Sequence, residues 1–265
     1  MSRELTKDQL EHASILFAQF PYDRSWVTTA IARKRGRLYT ESKDLWTSAI
    51  LWPERGAVSF MVGDPLSAGA MRILADYISD SRENPPPIWF LSVASEVAKN
   101  AILQRYDPDF VALKRVSFAH APANLSKISG WESELPDGCE LRKIDRSLVA
   151  RIPKEIDADF SLFWESADDF LDNGIGYCLM RDNRILSVAN AAFPLKRQTT
   201  IGVATAPDHQ GKGYSTLTCR PLIEYCMRKG VQPCFTTGAD NVAARSVARK
   251  LGFAGEQTHW WLLHT

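Results

Sequence analysis

No stretch of this 265-residue chain approaches the roughly 18 consecutive apolar residues that a membrane span requires. The N-terminal Met1-Ser2-Arg3-Glu4 also lacks the apolar core of a secretion signal. Neither sign of charge is in excess: 32 Lys and Arg stand against 31 Asp and Glu, a formal net charge of +1. That balance provides no long-range field to gather a polyanion, so no nucleic-acid partner is expected. Cysteine is sparse and unpatterned. Cys139, Cys178, Cys219, Cys226 and Cys234 are odd in number and contain no Cys-x-x-Cys pair, which argues against a disulfide framework and a zinc site. The five histidines form no His-x-x-x-His, and no metal is expected. These absences leave a cytoplasmic protein, without metal or membrane contact, as the expectation.

With 45% hydrophobic and 24% charged residues, the chain can bury one large or two smaller cores. Its most informative stretch is Asp208-His209-Gln210-Gly211-Lys212-Gly213-Tyr214-Ser215, which follows the strand-like run Ile201-Gly202-Val203-Ala204-Thr205 and opens a helical pattern. Gly211 and Gly213 permit positive φ and close backbone approach, so amides from Gln210 to Ser215 can converge on one anion. The helix start adds unpaired donors and a positive dipole end. The stretch is neither a P-loop nor a GxGxxG fingerprint. Farther on, Pro233-Cys234-Phe235-Thr236-Thr237 reads as a strand, and Asn241 to Phe253 as a helix. That helix has Ala244, Val247, Ala248 and Leu251 on one face, Arg249 and Lys250 in its last turn, and Gly252 at its stop.

Together these stretches resemble the two cofactor motifs of the GNAT N-acetyltransferase superfamily. Gln210, Gly213 and Ser215 stand at the positions of Gln/Arg-x-x-Gly-x-Gly/Ala, with Ser215 a departure, and Asn241 to Phe253 resembles Asn-x-x-Ala ending in Lys-Leu-Gly-Phe. The resemblance implies a mixed α+β fold, with a mostly antiparallel central sheet flanked by helices. It implies an acetyl-CoA-dependent N-acetyltransferase acting on a small-molecule amine. The pantetheine arm would pair with Val203, Ala204 and Thr205, and the diphosphate would lie on Gln210, Gly211, Lys212, Gly213, Tyr214 and Ser215. Asn241 would bond near the pantetheine, cap the helix, or do both.

The order of elements recurs within the chain. Phe90, Ala94, Val97 and Ala98 match Phe235, Ala239, Val242 and Ala243 at an offset of 145, while Leu74 and Tyr77 match Leu222 and Tyr225 at 148, and Pro65 matches Pro207 at 142. The offsets differ by an insertion in the second half that coincides with the glycine loop. We therefore expect a duplicated fold, with residues 1–121 as a copy lacking the CoA loop, 122–138 as a linker, and 139–265 as the catalytic copy.

Chemistry beyond cofactor binding is harder to read. Many superfamily members carry a tyrosine acid where this chain has Ala248, and a glutamate where Thr200 and Ala204 stand. Residues Asp159 to Asp172 read as an aromatic helix on which Glu165, beside Trp164, is the candidate base, because apolar rings raise a carboxyl pKa. Phe163, Trp164, Tyr177 and Asn190 are candidate walls of an acceptor pocket. Two other functions fit the same pattern. One is an aminoacyl-tRNA-dependent transferase of tandem type, whose relatives lack an intact CoA loop. The other is a non-catalytic acyl-CoA sensor, which the two missing groups would allow.

Overall fold

The computed structural model describes residues 12–13, 15–20, 24–32, 36–42, 46–53, 58–83, 90–106, 109–156 and 164–264. In chain order the elements are α1 (Arg24–Ala32), β1 (Arg37–Thr40), β2 (Ala49–Trp52), β3 (Val58–Val62), α2 (Ala68–Glu83), β4 (Phe90–Val93), α3 (Glu96–Tyr106) and β5 (Phe110–His120). Two 3-10 turns follow, Pro122–Lys127 and Trp131–Glu134. Then come β6 (Cys139–Lys143), α4 (Arg146–Glu155), α5 (Ala167–Asn173), β7 (Gly176–Arg181), β8 (Arg184–Ala191), β9 (Gln198–Thr205), α6 (Tyr214–Arg228), β10 (Gln232–Gly238), α7 (Val242–Lys250) and β11 (Phe253–His264).

The elements form two compact units. One comprises residues 1–116, 238–240 and 257–265, the other 117–237 and 241–256, so the division falls inside β5 and β11. In the first unit β1, β2 and β3 pair antiparallel, β3 and β4 pair parallel across α2, and β4 pairs antiparallel with Trp260–Leu263 of β11. Tyr39, Ile50, Met61, Leu74, Tyr77, Leu91, Ile102 and Leu262 make the core beneath α2 and α3. On the opposite face Val27 of α1 packs with Leu38, Trp46, Leu51 and Phe60.

In the second unit β6, β7, β8 and β9 pair antiparallel, and β9 pairs parallel with β10 across α6. The β7–β8 connection is the two-residue turn Asp182-Asn183, with φ of 49° and 61°, the left-handed pair that a tight hairpin needs. One face of this sheet carries Ile144, Leu148, Ile152, Trp164, Phe170, Val188 and Ala204, beneath α4 and α5. The other carries Leu179, Leu186, Tyr214 and Leu217, beneath α6. Each unit is thus an antiparallel sheet with a single parallel pair, covered by helices. The run β1-β2-β3-α2-β4-α3-β5 repeats as β7-β8-β9-α6-β10-α7-β11, the duplication expected from the sequence offsets.

One sequence expectation changes here. Residues 159–163 of the aromatic segment lie outside the described residues; from 164 on it is helical only over α5, because Ser166 caps the N-terminus by accepting from the Asp169 amide at 3.1 Å, with Asp168 and Asp169 in the first turn. Trp164 and Glu165 therefore precede the helix. The stretch 122–138, expected as the linker, packs against α6. Trp131 Nε1 donates to Glu224 at 3.3 Å, Arg220 pairs with Glu134 at 2.7 Å, and Leu135 packs against the cluster that holds Tyr214 and Leu217.

Candidate functional site

The parallel pair β9/β10 is where the second unit departs from the first. Strand partners run from Gln198 with Gln232 to Thr200 with Cys234 and then stop, although β9 continues to Thr205 and β10 to Gly238. In the first unit the equivalent β3/β4 pairing continues to Met61 with Val93, the last residue of β4. So β9 keeps β8 as partner along Ile201–Thr205 but loses β10.

Backbone parity shows which groups are left open. Ala206 N–H donates to Leu186 O, and Thr200 O accepts from Ala192 N–H, so even-numbered residues of β9 address β8. Arg197 O accepts from Gln232 N–H, so odd-numbered residues address β10. The main-chain groups of Val203 and Thr205 consequently face the widened gap. The Gln210 side chain reaches the Thr205 oxygen at 3.5 Å.

Beyond β9, Pro207–His209 forms a 3-10 turn and Gly213 begins α6. His209 and Gln210 donate their amides to Ala206 O and Pro207 O, and the Thr216 and Leu217 amides both turn back to Gly213 O. The five amides in between, from Gly211 to Ser215, donate to no group among the described residues. Gly211 and Gly213 have φ of 76° and 81°, and a Cβ at either would meet nothing within 4 Å. The loop is therefore an open row of donors at the start of a 15-residue helix, the chemistry an anion needs. Lys212 Nζ folds back to the Asp208 oxygen at 2.9 Å and sits 3.3 Å from His209 Nδ1, adding positive charge beside that row. A diphosphate and an extended amide-bearing arm fit these donors and the exposed strand edge.

The remaining candidates separate. Asn241 caps α7, its Oδ1 accepting from the Ala244 amide at 2.9 Å. Trp164 is 1% exposed, donates Nε1 to Ala191 O at 3.2 Å and stacks edge-on against Phe170. It is a core side chain, not a pocket wall, because its indole N–H is matched only by burying the ring over β8. Glu165 is exposed on the segment before α5 rather than buried against apolar rings. Phe163 lies outside the described residues. Tyr177 faces the C-terminal half of α6, near Tyr225 and Arg228, and burial raises its pKa above the usual phenol value. Asn190 lies on the opposite face of the sheet, in line with Val188, so the two do not share a pocket.

The positions without the customary acid and base are filled by core: Ala248 is 0% and Thr200 8% exposed. Burial pushes the thiols of Cys178 and Cys226 up to about 12, and that of Cys219 higher still, so none of the three is a thiolate near neutrality. A feature that sequence reasoning missed is the Ser187–Thr205 pair. Ser187 Oγ donates to Ala204 O at 3.0 Å, which makes Thr205 the donor in their 2.9 Å contact. That pins the end of β9 beside the gap. Two hydroxyl residues on separate runs gave no sequence signal.

The GNAT acetyltransferase family model matches residues 14–260. The chain is 21% identical over 252 residues, covering 95% of itself and 94% of the relative, to the uncharacterized N-acetyltransferase YdfB of Bacillus subtilis strain 168. The fold is shared with the GCN5-related N-acetyltransferase-like protein of Streptococcus suis (TM-score 0.74, 20% identity, 96% and 98% of the two chains). It is shared more distantly with a tandem GNAT protein from the clavulanic acid biosynthesis pathway (TM-score 0.58, 12% identity, 84% and 80%). With a family match along nearly its whole length and this strand-loop-helix geometry, the chain belongs to the GNAT acetyltransferase family and is an acyltransferase.

Proposed function

We propose that the protein moves an acetyl group from acetyl-CoA to a primary amine of a small molecule, by direct attack of the amine nitrogen on the thioester. The observation that carries this reading is the coincidence of two open backbone surfaces: the amides of Gly211–Ser215 and, leading into them, the gap-facing groups of Val203 and the N–H of Thr205. The loop amides, with Gln210 and Lys212 beside them, hold the diphosphate. The open edge of β9 pairs with the pantetheine amides as an added strand, with Ala204 anchoring that strand in the core. Asn241 acts chiefly as a helix cap.

When bound, acetyl-CoA supplies the activated acyl carbon. The protein positions the amine against that carbon and points the Val203 N–H at the carbonyl oxygen, where negative charge grows. Three buried, protonated thiols give no support to an acyl-cysteine route through them.

The test is thermal. At 100 times Kd, acetyl-CoA should stabilise the fold by about 2.7 kcal/mol, roughly 5–10 °C in Tm for a chain of this size. Gly213→Trp should remain folded and lose the shift, since its side chain enters the space over the amides. An unshifted wild type sinks the proposal. Free-thiol release from acetyl-CoA across a panel of amines then distinguishes an enzyme from an acyl-CoA sensor, the second reading, which the buried Ala248 and Thr200 favour. The open donor row argues against the aminoacyl-tRNA alternative.

A further inference from the structure

Along β8 every residue after Arg184 is buried except Asn190. Its cross-strand neighbours are both glycines, Gly176 on β7 and Gly202 on β9. This row leaves the amide without flanking side chains on its face of the sheet. The two vacancies differ. A Cβ at Gly176 would lie 2.5 Å from Ile144 Cδ1 and 2.7 Å from the Ala189 oxygen, so the core fills that side. A Cβ at Gly202 would have atoms of Asn190 itself as its three nearest neighbours, Oδ1 first at 3.0 Å. The amide thus leans over Gly202, next to the residue whose N–H opens on the gap.

Its orientation is fixed chemically. Nδ2 faces the Ala191 oxygen at 3.2 Å, and a carbonyl only accepts, so the NH2 must be on that side. Oδ1 then points away with no donor among the described residues. A partly buried acceptor, held by its own strand and leaning over Gly202 of the strand that borders the gap, is a built contact for an N–H group.

We infer that Asn190 Oδ1 receives an N–H of the acceptor amine and holds its lone pair toward the thioester carbon, an inference that rests on the acyl-transfer reading above. A neutral primary amine has two N–H groups and one lone pair. Giving one N–H to Oδ1 leaves the lone pair free. An ammonium has no lone pair to offer, and an uncharged amide oxygen gives it no counter-charge. The contact therefore accepts a primary or secondary amine and rejects a tertiary amine, which has no N–H; an ammonium can also donate to it, but only the unprotonated form has the lone pair that attacks. In the step, the C–N bond forms and the C–S bond breaks, the thiolate leaves with the bonding pair, and the nitrogen proton goes to solvent. Asn190 neither gives nor takes a proton.

The test compares wild type with Asn190→Leu, which removes the acceptor, and Asn190→Asp, which keeps an oxygen at Oδ1. The probes are benzylamine, n-propylamine and glycinamide at pH 9. Amine binding in the presence of CoA is read by saturation-transfer NMR, and turnover by thiol release from acetyl-CoA. Asn190→Leu should lose the benzylamine signal and about tenfold in kcat/KM for the amine, the size of one lost hydrogen bond. Its acetyl-CoA thermal shift should equal that of wild type, which also confirms that it folds. Asn190→Asp should keep amine binding and move the rate maximum to lower pH, because a carboxylate can take the proton. Equal amine binding and KM in wild type and Asn190→Leu would overturn the inference. So would a wild type that responds to acetyl-CoA but neither binds nor acetylates any of the three amines. A wild type without an acetyl-CoA shift would instead remove the parent reading.

Discussion

Gly213 and Gly252 have nearly the same backbone, φ of 81° and 87°, in very different surroundings. A Cβ at Gly213 meets open space, whereas at Gly252 it would stand 2.6 Å from Asn124 Cβ and 3.3 Å from His120 Nε2. Gly213→Ala should therefore cost only left-handed strain, about 1–2 kcal/mol. Gly252→Ala adds overpacking and should cost roughly 2–5 kcal/mol; urea denaturation of the two variants gives the comparison, and equal losses would contradict it. His120, beside Gly252, is buried edge-on against Phe253, and neither ring nitrogen has a hydrogen-bond partner among the described residues. Burial chiefly, and Lys127 in addition, hold its pKa below the usual value; the Leu251 backbone pulls the other way without meeting hydrogen-bond geometry. The unfolded chain then binds the proton more readily than the fold. Stability is full above the unfolded pKa of about 6.5 and falls as pH drops through the lower folded value. Denaturation midpoints between pH 8 and 5 should fall in wild type and flatten in His120→Phe.

At the level of elements, local chemistry was legible wherever it was self-contained. The Asp182-Asn183 turn, the Gly252 stop and the Asn241 cap all act within a few residues of themselves. Asn241→Ala should cost about 1 kcal/mol in urea denaturation. Asn241→Asp should restore that stability, and unchanged acetyl-CoA affinity in both variants would leave the cap as the residue's whole role. Local signals failed where partners lie far off in sequence. Trp164 stays a candidate pocket wall until the Ala191 oxygen is found to satisfy its N–H. The same holds for the 122–138 stretch, whose docking depends on Glu224 and Arg220 of α6. Pro221 also sits inside α6, which runs unbroken through it, with the proline buried.

For the molecule as a whole, the repeated element order makes the duplication visible twice, in residue offsets and in strand pairing. The units do not coincide with continuous segments, since β5 and β11 are each divided between them. Leu262, fully buried, belongs to the first unit's core. A fragment of residues 139–265 should accordingly expose the apolar strand Trp260–Leu263 and lack Ser117–His120. It should be largely insoluble or aggregated by size-exclusion chromatography, whereas the full chain should not be; a monomeric, acetyl-CoA-binding fragment would show that the second unit stands alone. The sequence by itself determined the family, the glycine loop and the helix that Asn241 caps, because those motifs depend on backbone conformation and spacing within a dozen residues. Only the tertiary structure decided where β9 parts from β10, which amides remain unpaired, and which polar side chain leans over Gly202. Those follow from strand register and from which neighbours fill a glycine's empty side, and both are set by residues distant along the chain.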